Sequence, residues 1–183
     1  MGYTPKGVWD DLRIVPGAFS FPGSADPALR DFQPGGTGAV FKIYKFNPSD
    51  EAFATIQVPH AWKEGSTVSV HIHWTPGDRG AAEDGKTVAW KCDYSWASIN
   101  GVFLASSTAD MTDTCNGIDD RHELTPEIDI VATGKKISSM LMLRIYRDTG
   151  DTWAGTGAQA PALLELDFHI EHDSLGSVQK LIK

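Results

Sequence analysis

The 183-residue chain contains no apolar run near the roughly 20 residues that a membrane-spanning helix needs. Its first residues, "MGYTPKGVWDDLR", lack the apolar segment of a secretory signal, which predicts a protein made in the cytoplasm and either used there or released by lysis of the cell. Basic residues are scarce: 16 Lys and Arg stand against 24 Asp and Glu, for a formal net charge of −8. Binding to nucleic acid rests on cationic contacts to phosphate, so neither nucleic acid nor a membrane is expected as a partner. There are two cysteines. Cys92 alternates with apolar residues and reads as a small buried hydrophobe, while Cys115 falls in the turn "TDTCNG", so no disulfide framework is indicated. No Gly-x-Ser-x-Gly elbow is present, and "ATGKKIS" lacks the first glycine and the hydroxyl residue of a phosphate loop. Helical periodicity is missing as well.

What is present is a period of two. The segments "AVFKIYKF" (39–46), "ATIQVP" (54–59), "TVSVHIHWT" (67–75), "TVAWKCDYSWA" (87–97), "VFLASSTADM" (102–111), "SSMLMLRIYRD" (138–148) and "ALLELDFHIEH" (162–172) all alternate or run apolar. Turn residues such as "PGDRG", "EDGK" and "DTGD" separate them. About eight strands with one apolar face each predict an all-β, two-sheet antiparallel β-sandwich, jelly-roll-like, with an immunoglobulin-like sandwich as the alternative.

Residues 1–38 differ from the rest. They hold five of the ten prolines, which are excluded from sheet interiors. They also hold Trp9, Leu12, Ile14, Phe19 and Phe21, which need a surface to lie on. The division expected is an extended arm over 1–38 and a β-domain over 39–183, with strands beginning near residue 39. On that reading a chain lacking residues 1–30 still folds. The arm lies on its own domain or on a neighbouring subunit.

The string "GSTVSVHIHWTPGDRGAAEDG" (65–85) tracks the first metal motif of the cupins, with His71, His73 and the carboxylate of Asp78. A second motif with a late histidine is missing. Alternation also puts Val68, Val70, Ile72 and Trp74 on one face and His71 and His73 on the other, whereas cupin histidines point into the barrel. No metal or other cofactor is therefore expected. Were one held, His71, His73, His169 and Asp167 would be its ligands. The same polar face carries Lys91, Asp93, Arg144 and Glu165, and mixed signs suit either solvent or a subunit contact through His71, His73, Arg144, Asp167 and His169. Trp62 and Trp153 sit in turns and could stack on a sugar.

Four strings, "VPHAWKEGSTVSVHIHWTP" (58–76), "WKCDYSWASINGVF" (90–103), "GKKISSMLMLRIYRD" (134–148) and "LLELDFHIEHDSLGS" (163–177), resemble a group of tailed-phage virion proteins. The best match within it is capsid decoration or cement proteins. The resemblance implies a jelly-roll domain, commonly trimeric, on the outer capsid surface, with the major capsid protein and further copies of itself as partners. It implies no enzyme activity. It leaves open a head-fibre or tail-associated protein with a carbohydrate-binding role, and a cupin-like metal protein.

Overall fold

The computed structural model describes residues 7–180. In chain order the strands are β1 (Val8–Ile14), β2 (Ala28–Phe32), β3 (Phe41–Lys45), β4 (Glu51–Gln57), β5 (Val68–Thr75), β6 (Thr87–Val88), β7 (Trp90–Ala97), β8 (Ser107–Asp110), β9 (Asp113–Thr114), β10 (Glu123–Leu124), β11 (Ile128–Ile130), β12 (Met140–Arg147) and β13 (Ala162–His172). All pairings are antiparallel.

Two sheets face each other. In the first, β5 and β13 are central. The far edge of β5 is shared by β10 and β11; that of β13 is shared by β3 and β1, and β2 lies beyond β3. The second sheet runs β4-β12-β7-β8, and β6 with β9 forms a separate ribbon. If β1 with β3, and β10 with β11, each count as one strand position, the chain visits the sheets in the order first, second, first, second, second, first, second, first. That is the double Greek key of the jelly roll, and it replaces the immunoglobulin alternative.

The core lies between the sheets. Trp74 and Ile72 from β5 and Phe168 and Leu166 from β13 face Trp90 and Cys92 from β7 and Leu141 and Ile145 from β12. Fully burying a side chain of this size contributes about 1.5–3 kcal/mol. Cys92 and Cys115 are free thiols, both buried, and burial pushes the Cys92 thiol far up. Trp62 and Trp153 are also in this core, where Trp62 packs 5.7 Å from Trp96 and Trp153 6.0 Å from Trp74. Neither ring has a face free to stack on a sugar.

Three expectations are corrected. Strands begin at residue 8, not near 39. The prolines bracket β1 and β2 instead of interrupting them, and β1 pairs with β13 over seven positions, Val8↔His172 to Ile14↔Leu166. Within this segment Ile14 and Phe19 are buried in the chain's own core, Leu12 and Phe21 pack against it, and Trp9 remains exposed. Unbroken alternation along 162–172 would put Leu164 on the face of Leu166, Phe168 and Ile170, and it does not share that face. The register slips between Leu163 and Glu165, so Leu163 takes the inward position and Leu164 lines an outer cleft. The glycines of the cupin-like string serve turns: Gly65 has φ +83° and Gly85 φ +69°, which glycine adopts without strain.

Candidate functional site

The outer face of the first sheet carries the histidines. On β5, alternation turns Ser69, His71 and His73 away from the core. Their cross-strand neighbours on β13 are His169, Asp167 and Glu165 respectively. On the other side of β13, Asp11 of β1 stands opposite His169 and Arg13 opposite Asp167. Three strands therefore place imidazoles, carboxylates and one guanidinium in adjacent rows.

This face was expected to meet solvent or a neighbour, yet much of it is enclosed. His71 is 2% exposed and Asp167 3%, and Ser69 and Glu165 are buried too. The enclosure comes from side chains leaning over the sheet and from the chain leading into β10 and β11. The His169 ring packs edge-on against His71 at 4.5 Å, and the His73 ring lies 4.9 Å from His71 and 4.9 Å from His122. Glu127 accepts a hydrogen bond from the Ser69 hydroxyl at 2.7 Å and contacts Nδ1 of His169. Nε2 of His169 is 3.4 Å from Asp11.

Four of the six histidines thus form one chain, His122–His73–His71–His169. Its geometry centres on Asp167. Nε2 of His71 and Nε2 of His73 are 3.1 Å apart, and they lie 3.6 and 3.7 Å from Oδ2 of Asp167. Oδ1 of Asp167 is buried with no hydrogen-bond partner. His71, Asp167 and His169 also present ligand atoms within 4.8 Å of one another. Burial, then the neighbouring His169 and His73, lowers the His71 pKa to about 4, which leaves a neutral imidazole at pH 7. Burial, then Asp11, raises the Asp167 pKa. The cationic neighbour, Arg13, is committed elsewhere: Nε and Nη2 make a two-pronged contact to Glu165 at 2.5 and 2.7 Å. Beside the cluster is a cleft of about 340 Å³, lined by Asp11, Arg13, His73, His122, Leu164, Glu165 and Asp167.

Of the residues singled out from the sequence, His71, His73, Asp167 and His169 are brought together. Asp78 is elsewhere, accepting a hydrogen bond from the Gln33 amide and pairing with buried Lys45 at 3.7 Å. Arg144 lies on the other sheet, satisfied by Glu51 and Asp93 and stacked 4.1 Å over Tyr146. Asp11, Arg13, His122 and Glu127 were missed. The first two depend on the pairing of β1, and the last two sit in a connection with no period to reveal their direction.

The second sheet has a different outer face. Met140 and Met142 of β12 are exposed, and so are Val102, Phe103 and Leu104 in the connection from β7 to β8. Ser95 pairs with Met142 across the ladder and donates its hydroxyl hydrogen to the Leu104 carbonyl at 2.7 Å, so the connection lies against the methionine row. Phe53, Met142 and Arg144 line a shallow groove of about 500 Å³ on the same face.

No protein-family profile and no curated protein matches the sequence. Among solved structures, the chain is similar to a cycloisomaltooligosaccharide glucanotransferase from Paenibacillus sp. complexed with cycloisomaltoheptaose, at 12% identity and TM-score 0.37 over 88% of this chain and 18% of that one. It is similar to dimeric latent PorU from Porphyromonas gingivalis at 10% identity and TM-score 0.36, over 94% of this chain and 14% of that one. The stem and receptor-binding domain of spike protein P1 from bacteriophage PM2 aligns at 11% identity and TM-score 0.31, over 94% of this chain and 100% of that one. The chain thus spans less than a fifth of the first two proteins, and at these scores none of the three assigns it a role.

Proposed function

We propose that this protein is a tailed-phage virion component of the capsid decoration type, working by contact rather than catalysis. The observation that carries the reading is the set of exposed apolar side chains on the outer side of the second sheet. Met140 and Met142 are exposed there, and Val102, Phe103 and Leu104 are exposed in the connection that Ser95 ties to the same side, although the core between the sheets is already filled. Contiguous exposed apolar surface on a soluble domain marks a contact site. The four strings that resemble phage virion proteins supply the class of partner, the major capsid protein on the outer surface of the particle. The acidic net charge suits a surface away from packaged DNA. The resemblance also predicts a homotrimer.

The mixed-charge face of the first sheet is the weaker contact candidate. Its Arg13, Glu165, His169 and Glu127 already pair with one another within the chain. The subunit contact is therefore assigned to the second sheet.

The test is co-sedimentation with undecorated capsids of the parent phage, beside light scattering behind size exclusion. The full chain is expected to bind and to run at three times its 19.9 kDa mass. A Met142→Glu, Leu104→Glu double variant is expected to keep the thermal transition and to bind at least about tenfold more weakly, since a few central residues dominate such contacts. Undiminished binding by that variant would move the contact surface elsewhere. A chain that never sediments with capsids would remove the decoration role.

A further inference from the structure

We propose that His71, His73 and Asp167 hold one divalent transition-metal ion of the zinc class on the outer face of the first sheet. The argument begins with the carboxylate. Asp167 is 3% exposed, its Oδ1 has no hydrogen-bond partner, and its Oδ2 stands 3.6 and 3.7 Å from two imidazole nitrogens, beyond hydrogen-bond length. A buried carboxylate left without a donor is costly in its charged form, and a cation beside it offsets that cost.

The three ligand atoms supply the place. Nε2 of His71, Nε2 of His73 and Oδ2 of Asp167 form a triangle with sides of 3.1, 3.6 and 3.7 Å. The point equidistant from its corners is about 2.0 Å from each, the length of a bond from zinc to imidazole nitrogen or carboxylate oxygen. Atoms bound to one ion sit this far apart. The two edges to Asp167, at 3.6 and 3.7 Å, are longer than hydrogen bonds, while the 3.1 Å edge between the imidazole nitrogens is a hydrogen bond that an ion bound by both would replace.

The tautomers agree with this assignment. Nδ1 of His73 is 2.6 Å from Nε2 of His122. If His73 donates its Nδ1 hydrogen there, its Nε2 lone pair is free, and that atom is one corner of the triangle. A ligand histidine that donates its other nitrogen to an outer partner is the usual arrangement of metal sites. The third histidine near Asp167, His169, has Nδ1 against Glu127 and Nε2 facing Asp11, so it is left as an outer residue. Two imidazoles and one carboxylate leave a fourth position, and the cleft that His73 and Asp167 line opens beside it. A water molecule or a donor from another protein fits that position.

The ion joins adjacent strands β5 and β13 at one row of the ladder, Asp167↔His71, and the next position along β5. Because it would bind the folded chain alone, it should add stability by mass action.

The experiment uses the full chain, stripped with a chelator, dialysed and titrated with Zn²⁺ by calorimetry, with Co²⁺ absorption as a report of coordination. One ion per chain is expected at a dissociation constant of about 1 µM or tighter. Thermal unfolding should move upward by several degrees in Zn²⁺. His73→Ala and Asp167→Asn should each lose at least about 100-fold in affinity while keeping a cooperative transition, and His122→Ala, which removes only the outer hydrogen bond, about 10-fold. His71 is buried enough that its removal could unfold the chain, so it is not the deciding variant. His172→Gln, outside the cluster, should bind as the wild type does. No Zn²⁺ uptake, uptake unchanged in both His73→Ala and Asp167→Asn, or equal loss in His172→Gln would each overturn the assignment.

Discussion

Removing residues 1–14 should abolish the cooperative fold. The deleted residues include all of β1, which closes the exposed side of β13 over seven residue pairs. Its inner face supplies Ile14, 4% exposed, with Leu12 packed beside it. Losing a buried side chain of this size costs about 2–5 kcal/mol. Losing the ladder also leaves the Leu166–His172 part of β13 as an open edge, an invitation to aggregate. Together these approach the whole stability of an ordinary domain, about 5–15 kcal/mol. The truncated chain should be insoluble or should lose its near-ultraviolet dichroism and sharp melting transition. A soluble truncation with an unshifted transition would mean that β1 is only laid on the sheet. This result is the opposite of what the proline-rich composition alone suggests.

The second large effect belongs to Arg147, at the end of β12 and wholly buried. Nε and Nη2 bind both oxygens of Asp151 at 2.7 and 3.2 Å. The remaining hydrogens go to backbone carbonyls: Nη1 donates to Phe46 at 3.1 Å and Gly155 at 3.2 Å, and Nη2 to Trp153 at 2.8 Å. One side chain thus ties the turn after β3 to the loop between β12 and β13. Arg147→Met should cost about 3–5 kcal/mol, because it strands the 3%-exposed carboxylate of Asp151. For a chain of this size that is a fall in melting temperature on the order of 10 °C. Arg147→Met with Asp151→Leu removes the stranded charge, and many buried ion pairs tolerate such a replacement. Here it should recover only part of the loss, since three carbonyls remain without donors. Chemical denaturation of both variants gives the two numbers. A single variant within about 1 kcal/mol of wild type would show that water replaces the guanidinium.

The sequence by itself determined the long strands from β3 onward, because a period of two needs no partner to be read. Seven apolar or alternating segments gave the all-β class, the inward faces of β5, β7 and β12, and the outward direction of His71 and His73. Alternation even puts Arg147 in the row of Leu141, Leu143 and Ile145, but its partners come from turns 101 and 4 residues away. The tertiary structure decided everything that depends on which strand lies beside which. It placed β1 against β13 although prolines surround that segment, since a proline excludes only its own position from a ladder. It made the polar face of β5 an enclosure, because His169, Asp167 and Glu127 reach His71 only through long-range pairing and a connection without periodicity. The slip between Leu163 and Glu165 turned Leu164 outward, and alternation counted from one end of a strand cannot reveal a bulge in its middle. Side-chain direction is a local property of an extended backbone, whereas the meeting of side chains depends on register between distant segments, set by the packing of the two sheets.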